Sequence, residues 1–129
     1  MKIAVIGAGI LGASTAYHLA LAGHNVVVLD EAHPGKATLA GAGIVCPWAT
    51  KAADESWYAL YAAGARYYDE LIAGLASRGE DQVGYRKVGA LVVADDAREY
   101  DAAAERLARR TAEAPESGGF EEITPERAR

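Results

Sequence analysis

A single cysteine, Cys46, stands in the whole sequence. No disulfide can close within the chain, and a reducing, cytoplasmic setting is expected. Basic residues are also scarce. The 13 Lys and Arg are outnumbered by 18 Asp and Glu, a formal net charge of −5, with no basic run or patch. Nucleic acid is therefore not an expected partner. No stretch reaches the ~18 uninterrupted apolar residues of a membrane span, so no integral membrane segment is expected. The first apolar run starts at Ile3, is broken by three glycines, and meets no small-residue cleavage site, which argues against a secretory signal. No His, Cys and carboxylate cluster has metal-ligand spacing. No nucleophile elbow is present.

What is present is a globular balance, 51% apolar and 24% charged over 129 residues. That is enough for one domain with a modest core. Alanine, the best helix former, is plentiful, so long helices are expected. Lys2 to Ile6 is a short β-branched run read as a buried strand. Ile10 to Ala22 carries a helical apolar pattern, with Gly23 placed to cap it. "NVVVL", Asn25 to Leu29, is apolar on both faces, as in a parallel strand covered by helices on both sides. Residues 33–50 hold three glycines and two prolines and read as loop, with a short extended piece at Gly43–Cys46. Asp54 opens a long helix to about Arg78, with Trp57, Leu60, Tyr61, Gly64, Tyr68, Leu71, Ile72 and Leu75 on one face. Gly79 ends it. "VGYRKVGALVVAD" reads as a strand, or two bent at Gly89. Asp95 or Asp96 caps a further helix to about Glu113, its apolar face at Tyr100, Ala104, Leu107 and Thr111. Phe120–Ile123 reads as a last short strand. Met1 runs straight into a strand, as at the start of a protein. Thr124 as N-cap and Pro125 at the first helical position announce a helix that stops at Arg129, which reads as truncation.

The chemistry sits at the front of the chain. Gly7-Ala8-Gly9-Ile10-Leu11-Gly12 lies between a strand and a helix. Gly7 permits the tight turn, Gly9 lets a pyrophosphate approach the backbone, and Gly12 lets the helix pack close to the strand. The helix N-terminus and its dipole favour phosphate. Asp30 ends the second strand 18 residues after Gly12, where a carboxylate can accept from ribose hydroxyls. Glu31 adds a second negative charge, which argues against a 2′-phosphate and hence against NADP. FAD and NAD both use such a unit, and these residues alone leave the two open.

The segment "ATLAGAGI" and the later "YRKVGALVVADD" extend the pattern, and "ITPERAR" closes it. Together with "IAVIGAGILGASTAYHLALAGHNVVVLD", they make the chain resemble the N-terminal part of the FAD-dependent oxidoreductases of the D-amino-acid oxidase type. That family includes glycine oxidase, monomeric sarcosine oxidase and D-amino-acid dehydrogenase. The resemblance runs over essentially the whole chain, in order. It implies an α/β fold in which a Rossmann-like FAD-binding βαβ unit, with additional helices and strand, belongs to a larger two-domain fold. Residues 1–129 would then be the N-terminal portion of the FAD-binding domain.

By the same resemblance, Ile10 and Leu11 approach the pyrophosphate through their backbone, and Asp30 and Glu31 lie at the adenosine ribose. Ala37 and Thr38, then Ala42, Gly43 and Ile44, run past FAD towards the flavin, with Thr38 offering a hydroxyl to a phosphate. Many members have Asn where this chain has Gly41, which leaves the substrate subclass open. The implied activity is oxidation of the C–N bond of a small amino acid or amine: a hydride leaves the α-carbon for the flavin, and the imine hydrolyses. The substrate sheet, its carboxylate-binding arginine and a flavin-contacting segment are expected beyond residue 129, so no catalytic residue is named. The alternatives are an inactive fragment and a small NAD-binding module.

The remaining reactive side chains read as structural. His18 lies inside the first helix as a solvated or packed residue, and His24 belongs to the turn after it. His33, near the ribose end, is a weaker candidate for adenine. Cys46 reads as an inert thiol, and Trp48 either as a core or loop anchor or as a shield for the flavin region. Tyr58, Tyr61, Tyr67 and Tyr68 repeat at helical spacing, and Arg86 and Lys87 read as solvated strand-end charges.

Overall fold

In the computed structural model, which describes residues 1–124, 126 and 127, the chain opens with strand β1 (Lys2–Ile6), helix α1 (Ile10–Leu21) and strand β2 (Asn25–Leu29). A four-residue helix, α2 (Ala37–Ala40), follows, then the long helices α3 (Glu55–Ala76) and α4 (Ala97–Glu113). Short 3-10 turns at Pro47–Ala49 and Pro115–Ser117 flank the long helices. Two compact units result, Met1–Ile44 and Val45–Arg129.

In the first unit, β1 and β2 pair in parallel, from Lys2 opposite Asn25 to Ile6 opposite Leu29. Alternation puts Ile3, Val5, Val26 and Val28 on one face of this sheet and Ala4, Ile6, Val27 and Leu29 on the other. Helix α1 covers the first face. The helix ends as the glycine pattern requires. Gly23 adopts φ +80, its N–H donates to the Ala20 carbonyl at 3.0 Å, and the His24 N–H reaches the Leu19 carbonyl at 3.1 Å. Those two bonds are a Schellman cap. The second sheet face departs from expectation. Both faces of these strands read as covered, yet Ile6 is 87% exposed and Val27 and Leu29 are each 54% exposed among the described residues. A continuous apolar run reports that both faces can be buried; it does not supply the second layer.

In the second unit, the Asp54 carboxylate accepts from the Trp57 N–H and the Asp96 carboxylate from the Glu99 N–H, so both expected N-caps form, Asp96 rather than Asp95. Gly79, at φ +90, closes α3 with the same paired bonds as Gly23. The covered face of α3 is largely the one expected, with Tyr61, Tyr68, Leu71, Ile72 and Leu75 all on it. Trp57, Leu60 and Gly64 are exposed, and Tyr58, Ala62 and Ala65 widen the covered face in the first half of the helix. Ala62 is the buried residue among them. On α4 the expected Ala104, Leu107 and Thr111 are covered, together with the buried Ala103 and Arg110, while Tyr100 is exposed.

No strand forms at residues 83–95 or 120–123 among the described residues, and Gly43–Cys46 is likewise irregular. A strand exists by its ladder of hydrogen bonds, and these segments meet no partner edge among the described residues. Of the helix expected at the C-terminal end, Pro125 lies outside the described residues, while the Arg127 N–H donates to the Thr124 carbonyl in a single turn.

Candidate functional site

The first unit brings the glycine turn, the acid of β2 and the α2 segment together at the carboxyl ends of the two strands, where ligands of open α/β sheets sit. Gly7 leaves β1 at φ +97, a conformation that a residue with a Cβ adopts at a cost, while its N–H still donates to the Leu29 carbonyl at 2.7 Å. A Cβ on Gly7 would meet open space. Gly12 is constrained from the opposite side. A Cβ there would lie 1.9 Å from the Gly7 carbonyl oxygen, so the helix can pass this close to the turn only as glycine.

Gly9 is the N-cap of α1 and has no side chain to cap it. The first-turn N–H groups of a helix lack carbonyl acceptors. One of them is met from a distance: the Ile10 N–H donates to Thr38 Oγ1 at 2.9 Å. Thr38 also lies against Gly9, whose Cβ would meet the same oxygen at 3.1 Å. Having accepted from Ile10, the Thr38 hydroxyl keeps its own proton to donate. The N–H groups of Leu11 and Gly12 take no acceptor among the described residues. Two free amide donors and one hydroxyl donor thus converge at the helix N-terminus, where the dipole favours an anion.

Asp30 faces this turn from the end of β2. Its Oδ2 accepts from the Ala8 N–H at 2.6 Å, and its Oδ1 from the Ala32 N–H at 2.7 Å and from the Lys36 ammonium. The Lys36 hydrogen bond, then those from Ala8 and Ala32, pull the Asp30 carboxyl down from 3.8 to about 2. It is ionised throughout the neutral range. Ile6, Gly7, Leu29, Asp30 and Glu31 line an open depression beside it. The Glu31 carboxylate has no hydrogen-bond partner among the described residues.

The structure therefore gathers Gly7, Gly9, Ile10, Leu11, Gly12, Asp30, Glu31 and Thr38, with Ala37 as the first residue of α2. Ala42, Gly43 and Ile44 leave that cluster. Gly43 adopts φ +68 in open space, Ile44 is 74% exposed, and no hydrogen bond ties the three to the glycine turn. His33 turns inward on its own loop, its Nδ1 accepting from the Gly35 N–H at 3.0 Å. His18 Nδ1 lies 2.6 Å from the Ser14 carbonyl within α1, and Lys87 pairs with Asp69 at 2.7 Å. No group of residues able to hold a metal ion occurs among the described residues. No described helix is long and apolar enough to cross a membrane.

Two residues with structural consequences escaped the sequence reading. Lys36 reaches back six positions to Asp30, and the Pro34-Gly35 turn between them was the available signal. Arg110 is 2% exposed in the second unit. Its guanidinium donates to the carbonyls of Pro47 at 3.3 Å, Ala52 at 2.9 Å and Thr50, and lies 4.2 Å from the Tyr58 ring centre. An arginine on a helix face gives no sign in the sequence that carbonyls await it.

A family model described as FAD dependent oxidoreductase matches residues 2–129. An uncharacterized oxidoreductase, YurR, of Bacillus subtilis is 48% identical over 120 residues, which cover 93% of this chain and 32% of that protein. A D-proline dehydrogenase of Pyrobaculum islandicum is 47% identical over 45 residues, 35% of this chain and 12% of the relative. Among solved structures, iminodiacetate oxidase from Chelativorans sp. BNC1 superposes with a TM-score of 0.90 at 55% identity, over 96% of this chain and 33% of that one. The chain thus spans about a third of the length of YurR and of the oxidase.

Proposed function

The chain belongs to the FAD-dependent oxidoreductase family, and from that premise we propose that it grips the adenosine and pyrophosphate end of FAD in an enzyme that oxidises the C–N bond of a small amino acid or amine. The observation that carries the grip is the Asp30 carboxylate, held over the glycine turn beside the free N–H groups of Leu11 and Gly12. The residues fit the cofactor on structural grounds. Gly7 and Gly9 present bare backbone, Thr38 keeps a hydroxyl proton for a phosphate oxygen, and Asp30 retains an acceptor position for a ribose hydroxyl. Ala37, Ala42, Gly43 and Ile44 are assigned to the path towards the flavin, and Glu31 to the rim at the ribose.

When bound, FAD supplies the two-electron acceptor for the oxidation. This chain's own residues bind and orient: the helix N-terminus neutralises the diphosphate, Asp30 fixes the ribose, and the Thr38 hydroxyl fixes the pyrophosphate relative to α1. The substrate class draws on the relatives. D-proline and iminodiacetate are both secondary amines with a carboxylate on the carbon next to nitrogen, and we assign that class to the protein carrying this chain.

Titration of the purified chain with FAD, read by flavin fluorescence, tests the grip. Saturable one-to-one binding, displaced by ADP, is expected. Binding of NADH without FAD would support a small NAD-binding module instead, and binding of neither would support an inactive fragment. Anaerobic bleaching of the flavin-loaded protein by D-proline or iminodiacetate, and not by glycine, is the expected substrate pattern; the reverse pattern overturns the assignment.

A further inference from the structure

We propose that Lys36 is a specificity residue of the adenosine end: paired with Asp30, it reads the ribose diol as a donor beside an acceptor, so that the carboxylate does not take both hydroxyls alone. This rests on the FAD reading above. It starts from a count of lone pairs. An ionised carboxylate offers about four acceptor positions. Ala8 occupies one on Oδ2, while Ala32 and Lys36 occupy two on Oδ1. One position on Oδ2 remains, enough for a single ribose hydroxyl. The second ribose oxygen then needs a donor, and the Lys36 ammonium has two N–H bonds left after the one given to Asp30.

The loop between them is shaped to bring Lys36 back. Ala32 adopts φ +55, a left-handed conformation that is costly for a residue with a Cβ, and in doing so delivers its N–H to Asp30. The Gly35 N–H donates to His33 Nδ1 at 3.0 Å, which ties the turn to its own loop. Pro34 and Gly35 reverse the chain, and Lys36 follows at the N-cap of α2, two residues before Thr38. One short loop thus places a cation against Asp30 and a hydroxyl against the helix N-terminus. The Lys36 side chain keeps 28% of its surface exposed and the Asp30 side chain 20%, so the pair is held at the rim and stays reachable from solvent. Lys36 also offsets the charge of Asp30 and Glu31, which would otherwise repel a diphosphate.

The test uses ADP and 2′-deoxy-ADP as probes, with affinities measured by calorimetry on the chain and its variants. The unchanged chain is expected to prefer ADP about tenfold, the value of one charge-assisted hydrogen bond. Lys36→Met is expected to weaken ADP binding by about tenfold and to shrink the preference to within about threefold, with its far-UV circular dichroism unchanged. Lys36→Arg, which keeps the donor and the charge, is expected to keep the preference. A Lys36→Met chain that binds ADP as tightly as the original, or more tightly, overturns the proposal, as does loss of the preference in Lys36→Arg. Failure of the unchanged chain to bind ADP at all would overturn the FAD reading and this one with it. Binding by the unchanged chain with no response to Lys36→Met overturns this one alone.

Discussion

The backbone N–H of Ile10 donates to the hydroxyl oxygen of Thr38, 2.9 Å away and 28 residues later in the chain. Gly9, the N-cap of α1, cannot perform this service because it has no side chain. The cap is therefore supplied from a distant loop, and a position bare enough for phosphate is retained at the turn itself.

Replacing that hydroxyl tests the connection. Thr38→Val keeps the shape and removes the acceptor, and it is expected to cost about 1 kcal/mol, the usual value of an N-cap side chain. Thr38→Ser is expected to restore most of it. Both tryptophans, Trp48 and Trp57, lie in the second unit. Urea unfolding of these variants is therefore followed by far-UV circular dichroism and by amide exchange at Ile10.

Gly12→Ala carries a harsher penalty. The new Cβ would sit 1.9 Å from the Gly7 carbonyl oxygen, which is backbone and cannot swing aside. Helix α1 must move off β1. A loss of about 3 kcal/mol is expected, at the upper end for overpacking. FAD binding should fall with it, while Gly7 and Gly9 remain intact. An Ala variant as stable as the original would show that the helix approaches the turn less closely than described.

Asp30 makes the stability depend on acid. Its carboxyl lies at about 2 in the folded chain against 3.8 unperturbed, so the unfolded chain binds the proton more readily. The contribution is therefore fully present above pH ~4 and disappears as pH falls through about 2. Acid unfolding followed by circular dichroism should show a loss over that interval in the original chain. Asp30→Asn should lack that component and begin less stable at neutral pH.

Arg110 predicts a defect in the second unit. Arg110→Ala leaves the carbonyls of Pro47, Thr50 and Ala52 without their donor, and a loss of about 3 kcal/mol is expected from three hydrogen bonds. Arg110→Lys cannot fork across the three carbonyls or stack on Tyr58, so it should recover less than half. Tryptophan fluorescence is the direct readout, since Trp48 lies within the segment that Arg110 holds.

The order β–α–β, the caps at Asp54 and Asp96, and the closing glycines Gly23 and Gly79 were legible because each follows a local rule. A carboxylate one residue before a helix satisfies an orphan N–H, and a glycine after one accepts positive φ. The GAGILG turn and Asp30 were legible for the same reason: strand, turn, helix and acid are close in sequence. The segment at 83–95 misled because β-branched alternation describes a side-chain pattern, and a strand also needs a neighbouring edge. On α3 the face was legible from Tyr61 to Leu75, where bulky apolar residues recur at helical spacing. It missed at Trp57 and Leu60, which the first turns leave exposed, and at Gly64.

What the sequence determined by itself is the glycine turn and its acid: which residues must be glycine, where Asp30 falls, and which helix end faces it. Tertiary structure alone decided the partners that complete it. Thr38 caps Ile10, and Lys36 reaches Asp30, because a left-handed Ala32 and a tight Pro34-Gly35 turn fold the intervening loop back. Arg110 finds three carbonyls by the same kind of closure. Such contacts join groups with no fixed spacing along the chain. Their geometry arises only once the loops between them have closed, and no local rule encodes it.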